Sequence, residues 1–274
     1  MINNNKVIAI IPARANSKGC PGKNYKDIAG KPLFMWSVEA ALRSKYIDAI
    51  VISTNDPEVE RITKEHSLYE KSIFVAPRPE SLSGPESRTE WAIMNAYSYM
   101  LEKDMRFDIF CLLQPTSPAR RNNLIDNCLE KMVLEKFDSI LTVTEKTPFF
   151  WNLQKIPQAV CDKYVPVKDL FDENNSYDKK AFIEKYLEPE RLISHPNYSL
   201  TKRPMRQELK DTDMMYHDNG NFYACYINVL YATLNRVGYN PALYVTPFFE
   251  SLQIDTEEDF KIISKLHELY GTFI

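Results

Sequence analysis

Apolar and polar positions along the first half of the chain alternate between the spacing of buried strands and the spacing of helices. Residues 7–11 are apolar throughout, as expected for a strand that is covered on both faces. Leu33–Arg43 follows with apolar residues at helical spacing, which predicts a helix. Further strands are predicted at residues 47–53, 72–76, 108–113 and 138–144, and further helices at residues 56–66, 90–101 and 122–135. Strands that alternate with helices predict an α/β fold with a mostly parallel sheet.

The pattern changes in the later part of the chain. Residues 147–217 are rich in Pro, Asn, Lys and Asp and show weak periodicity, although aromatic residues persist through them. This composition favours an insertion or subdomain over a linker. Strands and a closing helix are then predicted at residues 221–229, 243–246 and 256–270. We therefore predict a core formed by residues 1–146 and 218–274, with residues 147–217 inserted into it.

The loop between Arg14 and Asn24 follows the first predicted strand directly. Ligands of parallel α/β sheets bind beyond the carboxyl ends of the strands, so this position favours a binding site. The loop contains three cations and two glycines. Glycines let backbone N–H groups approach an anion, while Arg and Lys supply positive charge. The loop predicts a triphosphate site, with a solvated basic turn as the alternative. It is not a Walker A loop, since Lys23 is followed by Asn24.

Composition and charge narrow the class of protein. The 274 residues carry a net charge of -3, which argues against a general polyanion-binding surface and against nucleic acid as a partner. The five cysteines are scattered and include no C-x-x-C pair, which favours a reducing compartment over a disulfide framework or a zinc site. The apolar run at residues 7–11 is too short for a signal-peptide core, and no stretch approaches a membrane span. We expect a cytoplasmic protein without a membrane partner.

Short motifs run through nearly the whole chain in a fixed order. They are Ile11-Pro12-Ala13-Arg14, Asn16-Ser17-Lys18-Gly19, Pro21, Lys23-Asn24, Ile52-Ser53-Thr54-Asn55-Asp56, Arg78-Pro79, Leu112-Leu113-Gln114-Pro115-Thr116-Ser117-Pro118, Arg206-Gln207, Asn219-Gly220 with Tyr223, and Ile254-Asp255-Thr256-Glu257-Glu258-Asp259. This set resembles the signature of the CMP-sugar synthetases, the cytidylyltransferases that activate sialic acid and related nonulosonic acids. The resemblance implies a Rossmann-like, three-layer α/β domain and a homodimer. Residues 147–217 would then be a small dimerisation subdomain that also caps the substrate.

The resemblance also implies roles for individual residues. Nucleotide binding is implied for Arg14, Ser17, Lys23, Asn24, Arg78, Ser87 and Thr89. Binding of the sugar acid is implied for Gln114, Arg206, His217 and Asn219. Catalysis is implied for Arg14, Lys18, Lys23 and Asp255, with Asp255 as the ligand of Mg²⁺.

Three of these residues have structural alternatives. Arg78 would also suit an exposed turn, and Gln114 could satisfy backbone groups at a strand end. Asp255 would suit a helix N-cap. Capping and metal binding are compatible if Thr256 is the cap and Asp255 is free.

Two departures from the family pattern bear on the metal and the sugar. Gln253 stands where sialic-acid enzymes commonly carry the first of two acidic residues. An amide is a poorer Mg²⁺ ligand than a carboxylate, so the metal would rely on Asp255, CTP phosphates and waters. The run Tyr216-His217-Asp218 resembles one in pseudaminic-acid enzymes, which moves the expected substrate away from ordinary sialic acid.

The implied reaction transfers CMP from CTP to the anomeric hydroxyl of a nonulosonic sugar acid and releases pyrophosphate. A cytidylyltransferase for Kdo or for a non-sugar acid is an alternative within the same chemistry. A nucleotide-binding regulatory homologue that has lost catalysis is an alternative from another class, and Gln253 is the feature that favours it.

Overall fold

The computed structural model of the chain describes residues 1–15, 19–84, 86–155, 192–196, 205, 207, 209–210 and 213–271. It divides into two compact units. The first unit consists of Met1–Glu145 with Tyr216–Ile274, and the second is Lys146–Met215.

Eleven strands are described. They are β1 (Val7–Pro12), β2 (Asp27–Ile28), β3 (Lys31–Pro32), β4 (Ile47–Thr54), β5 (Ile73–Pro77), β6 (Ile109–Leu112), β7 (Ser139–Lys146), β8 (Trp151–Lys155), β9 (Leu192–Pro196), β10 (Met215–Tyr226) and β11 (Pro241–Val245). Seven of them form one sheet in the order β11-β7-β10-β6-β1-β4-β5. Strand β1 pairs in parallel with β4 and β6, while β10 pairs antiparallel with β6. The predicted α/β fold with a mostly parallel sheet is confirmed.

Helices cover both faces of this sheet. They are α1 (Leu33–Arg43), α2 (Pro57–Lys64), α3 (Thr89–Glu102), α4 (Leu124–Leu134), α5 (Ile227–Thr233) and α6 (Glu257–Tyr270), with short 3-10 turns at Glu80–Leu82 and Phe248–Ser251. Side chains of β1 alternate between two apolar clusters: Ala9 and Ile11 join the cluster that contains α1 and α4 residues, and Ile8 and Ile10 join the one that contains α3 and α5 residues. Because β1 is buried on both faces, its sequence is apolar at successive positions.

The strand predicted at residues 221–229 is wrong in its last part. Strand β10 ends at Tyr226, and Ile227 begins helix α5. Ile227 and Leu230 are the buried residues of this helix, and their separation is the helical one. A short apolar run fits a buried strand and a buried helix face equally well, so periodicity alone could not separate the two.

The second unit contains the antiparallel pair β8–β9. Most of residues 147–217 lie outside the described part of the chain, so their roles in dimerisation and in capping the substrate stay predictions. Within the described residues, no helix combines the length and the apolar character that a membrane span requires.

Candidate active site

A pocket of about 610 Å³ opens in the first unit where β1 and β6 end. It is lined by Pro12, Arg14, Gly19, Lys23, Asn24, Arg78, Ser87, Thr89, Gln114, Pro115, Thr116, Gln253 and Asp255. Residues from the loops after β1, β5 and β6 thus meet residues from the segment before α6. This is the carboxyl edge of the parallel strands, where the sequence places the binding site.

The loop after β1 is held by two asparagine side chains. Asn55, just after β4, accepts a hydrogen bond from the Ala15 N–H at 3.0 Å through its Oδ1. Asn24 is buried, and its Nδ2 donates to the Arg14 carbonyl at 2.9 Å. The amide of Asn24 therefore shapes the loop from within, and its predicted contact with the nucleotide stays a prediction.

Lys23 joins this loop to the segment that precedes α6. Its Nζ donates to the Ile254 carbonyl at 2.8 Å and lies 3.1 Å from Oδ1 of Asp255. The Lys23 side chain is 12% exposed, whereas that of Asp255 is 64% exposed. Gly19 allows the loop after β1 to approach the segment before α6 closely, since a Cβ atom at this position would lie 2.3 Å from the Asp255 carbonyl oxygen. Only glycine allows this approach.

The carboxylate of Asp255 is not used to cap α6. Thr256 is the N-cap, and its Oγ1 accepts from the Asp259 N–H at 3.1 Å. Asp259 closes the capping box, because its Oδ2 accepts from the Thr256 N–H at 2.8 Å. Of the two arrangements open from the sequence, the one with Thr256 as cap is therefore found, and the Asp255 carboxylate contacts Lys23 instead of capping the helix.

The donor set suits a Mg²⁺ ion that relies largely on its substrate. Within the described residues, no group of three or more His, Cys, Asp or Glu side chains is placed to hold a metal, and Asp255 is the carboxylate of the pocket lining. Mg²⁺ keeps several waters and takes one or two carboxylates together with substrate phosphates. The exposed carboxylate of Asp255 fits that pattern. Gln253 directs its Nε2 to the Asn219 carbonyl, so this amide nitrogen is engaged by the protein.

Two arginines at the pocket are held by carbonyl groups of one loop. Arg14 donates from Nη1 to the Gly84 carbonyl at 2.8 Å, and Arg78 donates from Nε to the Leu82 carbonyl at 2.7 Å. Arg78 is 6% exposed, so the exposed-turn alternative for it is wrong. Burial lowers the pKa of Arg78, and the nearby charge of Arg14 lowers it further. Neither guanidinium has a carboxylate partner among the residues described, which leaves their charge available to an anion.

Ser87 and Thr89 stand at the start of α3. No side chain caps this helix at Arg88. The Ser87 Oγ is buried and makes no hydrogen bond within the described part of the chain. The first-turn N–H groups of a helix lack intrahelical partners. The start of α3 thus offers hydrogen-bond donors at the pocket wall, as the prediction of nucleotide binding requires.

Asn219 lies in the interior of the first unit. It is 3% exposed and lies outside the pocket lining. Its Oδ1 accepts from Thr142 at 2.7 Å, and its Nδ2 donates to Thr144 at 3.0 Å and to Thr246 at 2.8 Å. Both polar atoms of the side chain are thus used in the interior, and its predicted contact with the sugar acid stays a prediction. The side chain instead supports the turn that precedes Gly220.

The remaining predicted residues are not brought to the pocket by the described structure. His217 lies exposed on β10, outside the lining. Ser17, Lys18 and Arg206 lie outside the described residues, and their roles stay predictions.

Gly220 lets two amide side chains meet. Its φ is +68°, and a Cβ atom there would lie 2.0 Å from Gln253 Nε2 and 3.0 Å from Gln114 Oε1. Gln114 and Gln253, which we call the amide pair, therefore share one narrow space at the pocket. The sequence showed an Asn-Gly turn here but gave no sign of which side chains it would contact.

Gly220→Ala is expected to destabilise the protein by more than Gly30→Ala does. Both glycines have positive φ, but a Cβ atom at Gly30 meets nothing within 4 Å. Backbone strain costs about 1–3 kcal/mol at either position, and the clash with the amide pair adds roughly 1 kcal/mol or more at Gly220. Urea denaturation of both variants measures the difference. Equal losses of unfolding free energy would show that the contact is unimportant.

Arg120 is a buried residue at the edge of the site that no sequence motif singled out. It is 2% exposed, and its guanidinium donates to the carbonyls of Gln114 and Asn221 and to the Ser37 hydroxyl. Its position two residues after the Gln114–Pro118 motif was the available signal. Two successive arginines in a loop, Arg120 and Arg121, are most simply assigned to the surface, and nothing local to the sequence indicates that Arg120 has partners on α1 and β10.

The family follows from a comparison with known sequences. A family model described as cytidylyltransferase matches residues 8–270. The chain belongs to this family. The resemblance stated from the ordered motifs is thereby confirmed, and the pocket is the expected place of the family's chemistry.

Two bacterial relatives illustrate the range of names in the family. The chain is 34% identical over 275 residues to a CMP-N,N'-diacetyllegionaminic acid synthase of Legionella pneumophila, covering 96% of this chain and 97% of the relative. It is 28% identical over 218 residues to a pseudaminic acid cytidylyltransferase of Campylobacter jejuni, covering 80% of this chain and 77% of the relative.

Solved structures bear on the fold. A CMP:2-keto-3-deoxy-manno-octonic acid synthetase complexed with CTP matches with a TM-score of 0.55 at 18% identity, covering 96% of this chain and 99% of that one. A 4-diphosphocytidyl-2C-methyl-D-erythritol synthase from Anaerococcus prevotii matches with a TM-score of 0.53 at 13% identity, covering 96% of both chains. These likenesses confirm the predicted Rossmann-like α/β fold.

Proposed function

We propose that this family member transfers CMP from CTP to the anomeric hydroxyl of a nonulosonic sugar acid and releases pyrophosphate. The observation that carries the proposal is the pocket in which Arg14, Lys23 and Asp255 meet the loop after β6. Basic side chains that are not all paired with carboxylates are suited to bind a triphosphate. The two bacterial relatives, named for pseudaminic and legionaminic acid, favour a nonulosonic acid as the acceptor.

The reaction is a direct displacement. The oxygen of the anomeric hydroxyl attacks the α-phosphorus of CTP, the bond from that phosphorus to the bridging oxygen of the β-phosphate breaks, and pyrophosphate leaves. Negative charge spreads over the transferred group and the leaving group, so positioning and cations supply most of the catalysis. The hydroxyl proton passes to a base that we leave unassigned.

The chain's own cations hold the phosphates in this scheme. Arg14 and Lys23 bind the β- and γ-phosphates, and Lys18 joins them from the same loop. Lys23 contacts the Ile254 carbonyl and Asp255 in the free chain, and it exchanges these contacts for the phosphates when CTP enters. Asp255 is the residue that would hold Mg²⁺ together with substrate phosphates, and the ion would neutralise charge on the transferred group and the leaving group.

The cytosine base lies between the loop after β5 and the start of α3. Arg78 presents a buried, fixed guanidinium there, and Ser87 and Thr89 supply hydrogen bonds. Asn24 keeps the phosphate loop in shape. Gln114 contacts the sugar acid, and His217 and Arg206 are further contacts that the family resemblance supports.

A homodimer in the cytoplasm completes the proposal. The family resemblance supports it, with residues 147–217 as the dimerising and capping segment. Light scattering on the purified chain tests this part by itself, with a mass near twice 31.9 kDa as the expected result.

A non-catalytic, nucleotide-binding role is the second candidate. Gln253 favours it, since this residue replaces a carboxylate and its nitrogen faces the Asn219 carbonyl. The exposed carboxylate of Asp255 favours the enzyme instead, because one carboxylate with substrate phosphates is enough for Mg²⁺. The match to a 2-keto-3-deoxy-manno-octonic acid synthetase is a likeness of fold at 18% identity. A likeness of that kind does not identify Kdo as the acceptor.

The deciding experiment measures pyrophosphate release from CTP and Mg²⁺ with pseudaminic, legionaminic, N-acetylneuraminic and Kdo acids in turn. We expect release with a nonulosonic acid of the pseudaminic or legionaminic type, and little with UTP or ATP in place of CTP. Release with Kdo alone would move the acceptor to that sugar. Tight CTP binding without release for any acid would establish the regulatory role.

A further inference from the structure

Arg120 is a buried cation whose charge no acidic side chain balances in the described structure. Burial lowers its pKa to about 9, so the guanidinium still carries its charge at neutral pH. Removing an unpaired charge from water is costly unless hydrogen bonds compensate it. A neutral side chain of similar volume could fill the same space without that cost. The hydrogen bonds that the guanidinium makes are therefore what compensates its burial.

The guanidinium bridges three separate elements. Nε and Nη2 both donate to the Asn221 carbonyl on β10, at 3.0 and 2.9 Å. Nη2 also donates to the Gln114 carbonyl at 2.7 Å, and Nη1 donates to the Ser37 hydroxyl on α1 at 2.8 Å. A planar fork with several fixed donors can satisfy these acceptors together, whereas a lysine ammonium is a single point on a flexible stem.

One of these backbone carbonyls belongs to Gln114 itself, and the other belongs to the turn against which the amide pair packs. Gln114 lines the pocket itself. Asn221 follows Gly220, the residue against which Gln114 and Gln253 pack. The Asn219 carbonyl in the same turn accepts from Gln253 Nε2. A shift of either turn would therefore move the amide pair relative to the rest of the pocket.

Two cations of the phosphate side, Arg14 and Arg78, are anchored away from Arg120, because the loop before α3 holds them. Lys23 is held by the Ile254 carbonyl, and the Ile254 N–H donates to the Thr116 carbonyl at 2.8 Å, so Lys23 is linked to the Gln114 turn. Loosening the turns behind Gln114 should leave Arg14 and Arg78 in place. The two sides of the pocket can thus be separated by experiment.

We propose that Arg120 is a positioning residue for the acceptor side of the pocket, where its fork fixes the Gln114 turn against the Asn219–Asn221 turn and so holds the amide pair. It does not line the pocket, so it acts through these turns. The consequence for the sugar acid rests on the proposed function, whereas the coupling of the two turns does not.

The kinetic test compares Arg120→Lys and Arg120→Met with the unchanged chain. We expect the KM for the sugar acid to rise by about tenfold or more in both variants, because small misplacements of a contact lose large factors. The KM for CTP should stay within about twofold, because Arg14 and Arg78 are anchored elsewhere. Full recovery in Arg120→Lys, or an equal rise in both KM values, would overturn the proposal.

Two control variants separate positioning from general loosening and from loss of charge. Leu129→Ala removes a fully buried side chain of α4 outside the pocket, so it lowers stability without touching either turn. Arg61→Met removes a charge of α2 whose side chain is 54% exposed and pairs with Glu58 and Glu65, away from both turns. Both controls should keep the ratio of the two KM values. A selective rise in the sugar-acid KM in either control would count against Arg120.

Hydrogen exchange on the free protein tests the coupling without any substrate. In Arg120→Met, backbone amides at residues 114–118 and 219–222 should exchange faster, while those at residues 78–84 should not change. Uniform acceleration, or no change at either turn, would refute the positioning role. If the unchanged chain released no pyrophosphate with any acid, the proposed function would fail, and the exchange result would still decide the coupling.

Discussion

Lys23→Met is expected to lower kcat/KM for CTP by about 100-fold or more, the range seen when a fixed group that stabilises transition-state charge is removed. Lys23 is 12% exposed, and its Nζ already sits at the junction of the phosphate loop and Asp255. A methionine fills a similar volume without a charge. The measurement is pyrophosphate release as a function of CTP concentration at saturating Mg²⁺ and sugar acid.

The stability of Lys23→Met should change far less than its activity. The variant loses the hydrogen bond to the Ile254 carbonyl, and an unsatisfied buried acceptor costs about 1–3 kcal/mol. The folded state should therefore persist in the assay, which thermal unfolding of the purified variant verifies. If the inactive variant were also unfolded at the assay temperature, unfolding would account for the loss of activity. That result would contradict a catalytic role for Lys23.

Lys26→Met provides the matched control. Lys26 follows the same loop, pairs with Glu257 and lies outside the pocket lining. It is 34% exposed, and exposed pairs contribute little, so its removal should change kcat/KM by less than about threefold. A loss in Lys26→Met as large as that in Lys23→Met would show that the loop as a whole needs positive charge, without a special place for Lys23.

Local periodicity predicted most of the fold because the sheet is buried on both faces. The run at residues 7–11 became β1, and Leu33–Arg43 became α1 with those bounds. The error at residues 221–229 arose where the chain passes from β10 to α5 without a polar break. Apolar residues on both sides of Tyr226 pack into the same core. The amino-acid composition therefore did not indicate where the strand ends and the helix begins.

Several residues that line the pocket were predictable from the sequence, but the contacts between them were not. Motif order placed Arg14, Lys23 and Asp255 in one site, although Lys23 and Asp255 are 232 positions apart in the chain. The contact that joins them depends on tertiary packing, as does the close approach of Gly19 to the Asp255 carbonyl.

The sequence does not indicate the surroundings of the Asn219 side chain or of the Arg120 side chain. Asn219 resembles a ligand-binding residue by motif, yet its polar atoms are all engaged by threonines of the core. Arg120 resembles a surface cation, yet it is enclosed. Whether a polar side chain faces a ligand or the interior is set by which acceptors the fold brings near it, and those acceptors lie far away in the sequence.

Asp255→Asn is expected to lower kcat by about 100-fold or more while leaving the unfolding free energy within about 1 kcal/mol of its original value. The first effect follows if this carboxylate holds the ion that neutralises transition-state charge. The second follows because the side chain is 64% exposed, and its pair with Lys23 is thus weakened by solvent. Kinetics over a Mg²⁺ titration, together with urea denaturation, measures both.

Asp259→Ala separates metal binding from helix capping. Asp259 closes the capping box with Thr256, so its loss should cost about 1 kcal/mol of stability. It does not line the pocket, so kcat should stay near its original value. The two aspartates stand four positions apart at the start of one helix and should give opposite results, one losing activity and the other stability. If Asp255→Asn lost stability as Asp259→Ala does and kept its Mg²⁺ dependence unchanged, the carboxylate would belong to the helix and the metal would bind elsewhere.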